Sequence, residues 1–123
     1  MLRLAREGNT LSVVDDQIGC PTYTKDLSLC LAELIASEKY GIYHVSNAGS
    51  CSWHEFAEAI FELAGIEVEV LPVSSAQFKR PAARPAYSVM VHHALEQGGF
   101  TRMRHWKDAL QDFLKTINEE RLE

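Results

Sequence analysis

The residues best suited to bind a ligand lie in one loop, residues 15–24, between a predicted strand and a predicted helix. Open α/β sheets bind ligands at the carboxyl ends of their strands, and the helix N-terminus that follows favours an anion. Amide and hydroxyl groups would orient the ligand, a glycine would let it approach the backbone, and a proline would stiffen the loop. The predicted binding residues here are Gln17, Gly19, Pro21 and Thr22. The alternative is a tight strand-to-helix turn that binds nothing.

A second candidate site is the loop from Arg80 to Pro85, in which each of two arginines precedes a proline. Its two guanidinium groups could hold a diphosphate through paired hydrogen bonds, the geometry in which arginine recognises phosphate oxygens. The alternative is an ordinary solvated loop without a ligand.

The sequence offers no catalytic groups of its own. It contains no glycine-rich dinucleotide motif, no P-loop and no G-x-S-x-G motif. No tyrosine is followed four residues later by lysine, so a proton-transfer pair at that spacing is absent. Cys20 has no histidine near it in the sequence, and the five histidines lack metal-ligand spacing. The residues alone therefore indicate neither one of these catalytic motifs nor a metal site.

Composition narrows the class of protein. Of the 123 residues, 46% are hydrophobic and 24% charged, which is typical of a soluble globular domain or part of one. With 12 basic and 17 acidic side chains the formal charge is −5, which argues against a nucleic-acid-binding surface. The sequence shows neither a membrane-length apolar run nor a signal peptide, so we expect no membrane contact. Three cysteines without C-x-x-C spacing favour thiols in a reducing cytoplasm.

Apolar residues at helical spacing predict five helices. The one after Thr24, its predicted N-cap, has an apolar stripe from Leu27 to Ile35. The S-x-x-E pattern over residues 52–55 is a capping box, and Gly65 suits the end of the helix that it begins. The first helix looks truncated, which suggests a missing upstream partner. The predicted helices cover residues 1–8, 24–35, 53–64, 92–97 and 106–117.

Short apolar or alternating runs predict strands between these helices. The alternation of helices and strands indicates an α/β fold whose first strands are parallel. Pro72 ends the third strand or marks a sheet edge, and residues 74–85 form a loop. Trp53 and Trp106 begin apolar helical stripes, so we expect both in the core rather than as stacking surfaces. The predicted strands cover residues 11–14, 42–45, 66–70 and 88–91.

Four motifs in this order resemble the signature of the dTDP-4-dehydrorhamnose reductases, a family of extended short-chain dehydrogenases/reductases. Residues 13–22, VVDDQIGCPT, with Asp26-Leu27, are similar to the family's V-V-x-D-Q-x-G-x-P-T…D-L pattern. The other three are Gly41-Ile42-Tyr43-His44 with Gly49 and Ser52-Trp53-x-x-Phe56-Ala57, then Arg84-Pro85-x-x-Ser88, then Trp106-x-x-Ala109-Leu110. The resemblance spans residues 1–117.

The resemblance implies that residues 1–123 are the C-terminal, substrate-binding lobe of such an enzyme, with the last strands of its Rossmann-like sheet. The N-terminal portion, which carries the dinucleotide loop and the catalytic Thr/Ser, Tyr and Lys, would precede Met1. The family reduces dTDP-4-dehydro-L-rhamnose to dTDP-L-rhamnose with NADPH for polysaccharide synthesis. The chain alone is therefore expected to bind the sugar nucleotide, to lack activity and not to bind NADPH.

The resemblance also assigns site residues one by one. Arg84 matches the arginine of the R-P-x-x-S motif, expected near the phosphates, and Ser88 is its serine. The residues of the first loop (Gln17, Gly19, Pro21 and Thr22) match the loop that borders the sugar-nucleotide cleft. The sequence departs from the family over residues 91–94, VHHA, where members carry an Asp that can cap the next helix. Some members form dimers assisted by a metal such as Mg²⁺, but their acidic ligands have no mapped counterpart here.

Two other outcomes stay open at this stage. A reductase-like scaffold also serves as the non-catalytic regulatory subunit of methionine adenosyltransferase, so the chain could be a binding or regulatory subunit. It could also be an isolated fragment with no activity. Without neighbouring parallel strands it would expose a sheet edge and an apolar face, so we expect dimerisation or altered packing.

Overall fold

The structure is a computed structural model that describes residues 1–8, 10–78 and 81–119, with the side chains of Arg6 and Glu119 left out. The chain divides into two compact units. We call Met1–Gly19 with Cys51–Ser88 the strand unit, and Cys20–Ser50 with Val89–Glu123 the helical unit. In chain order the elements are α1 (Leu2–Glu7), β1 (Thr10–Val14), β2 (Ile18–Gly19), α2 (Thr24–Ile35), β3 (Cys51–Ser52), α3 (Trp53–Ala64), β4 (Glu69–Val73), α4 (His93–Gln97) and α5 (Trp106–Glu119).

The strand unit is built on a parallel pair, β1 with β4. The register runs from Thr10 opposite Glu69 to Val14 opposite Val73, so the two strands end side by side. Pro72 lies inside β4, where it pairs with β1 on one side only among the described residues, the edge position that a proline tolerates. The short strands β2 and β3 form a separate antiparallel pair.

Helix α3 forms as the sequence predicts. The Ser52 hydroxyl accepts from the Glu55 amide at 3.1 Å, and the Glu55 carboxylate accepts from the Ser52 amide at 2.7 Å. This capping box satisfies two amide groups that a helix start otherwise leaves unpaired. Gly65 ends the helix with φ +64°, a left-handed conformation that favours glycine. The buried apolar residues of α3 are Ala57, Ala59, Ile60 and Phe61.

The helical unit contains α2, α4 and α5. Most of the α5 stripe is buried as predicted, but Phe113 is 40% exposed. Helix α4 begins one residue later than the predicted start. His92 occupies the N-cap of α4 without a side-chain cap, and its Nε2 lies 2.8 Å from the buried Ser46 hydroxyl. The departure at residues 91–94 therefore still allows a helix. The buried apolar residues of this unit are Cys30, Leu95, Trp106, Ala109, Leu110 and Leu114.

Fully buried Asn47 is the polar centre of the helical unit. Its Oδ1 accepts from the Tyr23 amide at 2.8 Å, and its Nδ2 donates to Asp26 at 2.7 Å and to the Arg104 carbonyl at 3.1 Å. The side chain thus satisfies its hydrogen-bonding groups against two segments distant in the sequence. A buried amide left without these partners would destabilise the fold.

The Arg104 guanidinium extends this network. It donates to both oxygens of Asp26 at 2.8 and 2.7 Å and to Asp112 at 2.8 Å. These charged hydrogen bonds hold the pKa values of both carboxyls below their usual range. We call Asn47, Asp26, Arg104 and Asp112 the Asn47 network.

Four details of the predicted secondary structure are wrong. Residues 42–45 and 88–91 are not strands: among the described residues no strand bonds to the first run, and in the second run only Ser88 bonds to a strand, at Ile18 of β2. The third strand is shifted to Glu69–Val73, since pairing with β1 and not apolar alternation sets its limits. Tyr23 rather than Thr24 is the N-cap of α2. The Tyr23 amide is held by Asn47, a contact across 24 residues that local sequence cannot show.

The predicted burial of the α2 stripe is also wrong in part. Cys30 is buried, but Leu31 is exposed and Ile35 is 82% exposed. Helical spacing identifies a face but not what covers it. The described residues leave much of this face in solvent.

We expect Asp26→Asn to lower the free energy of unfolding at pH 7 by about 1–3 kcal/mol, because it removes charge-assisted hydrogen bonds to Arg104. Since the folded-state pKa of Asp26 is lowered, its contribution is present above the unfolded pKa of about 3.9 and is lost as pH falls through the folded value. Urea unfolding from pH 7 to pH 3 should show the two proteins converging in acid. The exposed Glu38→Gln is the matched control, and an equal loss there would contradict the assignment.

Candidate functional site

The carboxyl ends of β1 and β4 bring two polar segments together. The Asp15 amide donates to the Val73 carbonyl at 3.0 Å, which extends the parallel pairing by one residue. The residues that follow each strand therefore emerge at the same edge of the sheet. Ligands in parallel sheets bind at this edge.

Ser75 links these two segments. Its amide and hydroxyl donate to the two oxygens of Asp16, at 2.8 and 2.6 Å. The Gln17 amide nitrogen donates in turn to the Ser75 hydroxyl at 2.7 Å. The hydrogen bonds from Ser75 hold the pKa of Asp16 below its usual range, so this carboxylate stays charged at neutral pH. The result is that the Gln17 side chain is fixed in one orientation.

Asp15 fixes the same loop to α3. Its Oδ1 accepts from the Ser52 hydroxyl at 2.7 Å, while that hydroxyl also caps the helix. The first turn of α3, which contains Trp53, is therefore tied directly to the loop that carries Gln17.

Two predicted site residues, Gly19 and Ser88, lie close together because the segment over residues 86–88 is hydrogen-bonded to Ile18. The Ile18 amide donates to the Ala86 carbonyl at 2.8 Å, and the Ser88 amide donates to the Ile18 carbonyl at 2.9 Å. A Cβ on Gly19 would lie 3.2 Å from the Ser88 hydroxyl oxygen, a tight contact. In this structure the glycine thus makes room for a neighbouring serine, which accounts for its place in the pattern.

The strand unit encloses a cleft of about 730 Å³, within the usual range for small-molecule sites. Most of its wall is apolar and comes from α1, β1 and the loop after β4. Its polar groups are an amide, two hydroxyls and one guanidinium, and two aromatic rings complete the lining. The lining residues are Met1, Leu4, Leu11, Ser12, Val13, Val14, Gln17, Trp53, Ser75, Ala76, Phe78, Ala82, Ala83 and Arg84.

The chemistry of this cleft is that of binding. Among the described lining residues there is no Asp, Glu, His, Cys, Tyr or Lys side chain of the kind that exchanges protons with a substrate. The Arg84 guanidinium could pair with phosphate oxygens, while the aromatic and aliphatic walls suit a planar or apolar group. Within the described residues, no group of three or more His, Cys, Asp or Glu could hold a metal ion, and no helix could cross a bilayer.

The predicted site residues fall into three groups. Gln17 and Arg84 line the cleft, and Gly19 and Ser88 lie together in the same unit. The remaining two belong to the helical unit, where Pro21 is half-buried and the Thr22 hydroxyl donates to the Cys20 carbonyl at 3.2 Å. Arg80, the other arginine of the second candidate loop, lies outside the described residues.

The prediction for Trp53 is wrong, whereas that for Trp106 is confirmed. Trp106 is 3% exposed, but Trp53 is 46% exposed and lines the cleft. The Phe56 ring packs edge-on against Trp53 at 6.3 Å between centroids. Trp53 is the first residue of its helix, where the apolar stripe reaches the surface, so helical spacing overstated its burial.

Sequence reasoning missed Ser75 and Phe78. Ser75 could have been found, because it lies in the loop after the third predicted strand, and that strand and the one before Asp15 end at the same edge of a parallel sheet. Phe78 lies in a segment without periodicity, so no local signal indicated that its ring would line the cleft.

Comparison with known proteins identifies relatives for nearly the whole chain. The profile of the family described as RmlD substrate binding domain matches residues 1–119. The spore coat polysaccharide biosynthesis protein SpsK of Bacillus subtilis (strain 168) is 50% identical over 115 residues, which cover 94% of this chain and 40% of that protein. A dTDP-4-dehydrorhamnose reductase of Mycolicibacterium smegmatis is 40% identical over 119 residues, with coverage of 95% and 36%.

A solved structure agrees with these relatives. The dTDP-4-dehydrorhamnose reductase from Bacillus anthracis, in complex with NADP, superposes with a TM-score of 0.91 at 49% identity and covers 94% of this chain. This chain covers 41% of that one. The resemblance predicted from the motifs and the α/β fold are both confirmed. The chain spans about 40% of the length of the relatives that it matches.

We expect Ser75→Ala to raise the pKa of Asp16 towards its ordinary value, because the variant loses one of the two hydrogen bonds that favour the carboxylate. A carbon-detected NMR titration of the Asp16 carboxyl would measure the change. Ser74→Ala is the matched control, since the Ser74 hydroxyl bonds to Gln77 instead. An Asp16 titration that is the same in wild type and Ser75→Ala would contradict this geometry.

Proposed function

We propose that this chain, which belongs to the RmlD substrate binding domain family, binds the sugar nucleotide reduced by a dTDP-4-dehydrorhamnose reductase. The reaction is reduction of dTDP-4-dehydro-L-rhamnose to dTDP-L-rhamnose with NADPH, for polysaccharide synthesis. The observation that carries the proposal is the cleft of the strand unit, which presents Arg84 and the fixed Gln17 amide and, among its described lining residues, no side chain for proton transfer. The chain would therefore hold the substrate while other residues perform the chemistry.

Two parts of the ligand, the diphosphate and the sugar, have matching groups in the cleft. Arg84 offers a planar pair of donors to the diphosphate, where bidentate hydrogen bonds are strongest. Gln17 and Ser75 form a hydrogen-bonded pair whose remaining donor and acceptor positions could bind sugar hydroxyls. Because Asp16 and Ser75 already orient Gln17, binding would cost little side-chain entropy. Gly19 and Ser88 support the loop, and for Pro21 and Thr22 a direct role stays a prediction.

The described residues do not fit NADPH. The sequence has no glycine-rich dinucleotide loop at a strand-to-helix turn, and the described residues of the cleft lining present one guanidinium, that of Arg84, against a mostly apolar wall. We therefore expect no binding of NADPH and no turnover by this chain alone. A further part of the protein, comparable to the remaining length of the relatives, would bind the NADPH that delivers the hydride and would supply the proton. We place residues 1–123 as the substrate-binding lobe of such an enzyme, in the cytoplasm, where thiols such as Cys20 stay reduced.

Calorimetric titration of dTDP-L-rhamnose, dTDP and NADPH into the 123-residue chain tests the proposal. We expect a micromolar constant for the sugar nucleotide, roughly −8 kcal/mol, and no heat with NADPH. Arg84→Ala should weaken binding by about 10- to 100-fold, because it removes charged hydrogen bonds to the phosphates.

Arg102→Ala is the matched control, because Arg102 is an exposed arginine paired with Glu96 in the helical unit. No binding of dTDP-L-rhamnose or dTDP would overturn the proposal. Turnover of NADPH by the isolated chain would overturn the claim that it lacks catalytic groups. Copurification with a synthetase, without affinity for sugar nucleotides, would favour the regulatory-subunit alternative.

The helical unit also exposes an apolar face. We propose that, when the chain is isolated, a second copy of the same chain covers this face. Leu29 and Ile35 of α2 and the following Tyr40 and Ile42 are all mostly exposed, Ile42 by 88%. Residues 42–45 have an apolar strand-like sequence but pair with no strand among the described residues. Such unpaired edges and apolar patches favour association.

We expect sedimentation velocity to show a concentration-dependent dimer. The double variant Ile35→Lys/Ile42→Lys should shift it to the monomer, because two buried cations would oppose association. Leu71→Lys is the matched control, an exposed apolar residue of the strand unit. A wild-type chain that stays monomeric at all concentrations would contradict this expectation.

A further inference from the structure

We propose that the indole of Trp53 is the stacking surface for the nucleotide base, an inference that rests on the proposed function and deepens it. Trp53 is a cleft-lining tryptophan and keeps nearly half of its surface exposed. An aromatic ring that offers an open face at a mostly apolar cleft suits a planar π-system, and every nucleobase has one.

The position of Trp53 is rigid before any ligand arrives. It follows Ser52 directly, and that residue is held by the capping box and by Asp15 at 2.7 Å. The Phe56 ring, one helical turn later, packs edge-on against the indole with an interplanar angle of 71°. This contact supports one part of the indole. A platform held in this way loses little entropy when a base stacks on it.

The other groups of the cleft divide a sugar nucleotide between them. Of the lining residues that the structure describes, Arg84 carries the cationic side chain and suits the diphosphate, while Gln17 and Ser75 suit sugar hydroxyls. The base is then the remaining planar group, and Trp53 is the aromatic ring held by Ser52 and Phe56 against the same cleft. Stacking does not distinguish one base from another, so this contact provides affinity and not base specificity.

Tryptophan fluorescence tests the inference, because the chain has two tryptophans and only Trp53 is exposed. We expect dTDP to quench the emission, and Trp53→Phe to abolish the response while Trp106 still emits. Inorganic pyrophosphate, which has no base, should give no quenching. Calorimetry should show dTDP binding roughly 5- to 150-fold weaker in Trp53→Ala, and a smaller loss in Trp53→Phe, which keeps an aromatic ring.

Leu63→Ala is the matched control, an exposed apolar residue of α3 outside the cleft lining, and it should leave dTDP affinity unchanged. If dTDP binds the wild-type chain, but Trp53→Ala binds it equally tightly and the emission does not change, the inference is overturned and the proposed function stands. If Trp53→Ala weakens the binding of dTDP-L-rhamnose but not that of dTDP, the hexose and not the base lies on the indole, which also overturns the inference. If neither ligand binds the wild-type chain, the proposed function fails and this inference fails with it.

Discussion

The parallel pairing of β1 with β4 is the constraint on which the candidate site depends. Because Val14 lies opposite Val73, both strands end at one level and the polar residues after them meet. Ser75 then bonds to Asp16 and Gln17, residues nearly sixty positions away in the sequence. A shift of one residue in the register would turn each strand's side chains to the opposite face and separate these groups. The cleft is thus a consequence of strand register more than of any single side chain.

A second consequence is the division of tasks between side chains. Asp15 and Asp16 are hydrogen-bonded to serines and support the loop, whereas Gln17 and Arg84 line the cleft. The hydrogen bonds from Ser75 hold the pKa of Asp16 low, which makes that carboxylate a poor proton donor or acceptor. The site therefore has the character of a preorganised binding surface, in agreement with a family defined by substrate binding.

Local patterns predicted what local physics determines. The capping box at Ser52 and the left-handed Gly65 both depend on residues within a few positions of one another. The failures depend on partners distant in the sequence: among the described residues no strand pairs with residues 42–45, and Ile35 is left 82% exposed. The motifs gave the family and named Gln17 and Arg84, but no sequence signal placed Trp53 at the surface, because periodicity reports direction and not depth.

Amide-detected NMR titration with dTDP-L-rhamnose is the best test of the proposal that the cleft of the strand unit binds the sugar nucleotide, because it locates the ligand residue by residue. We expect the largest shifts at the backbone amides of Gln17, Ser75 and Arg84 and at the indole N–H of Trp53, all of which line the cleft. Saturable binding that leaves these four signals unchanged would contradict it.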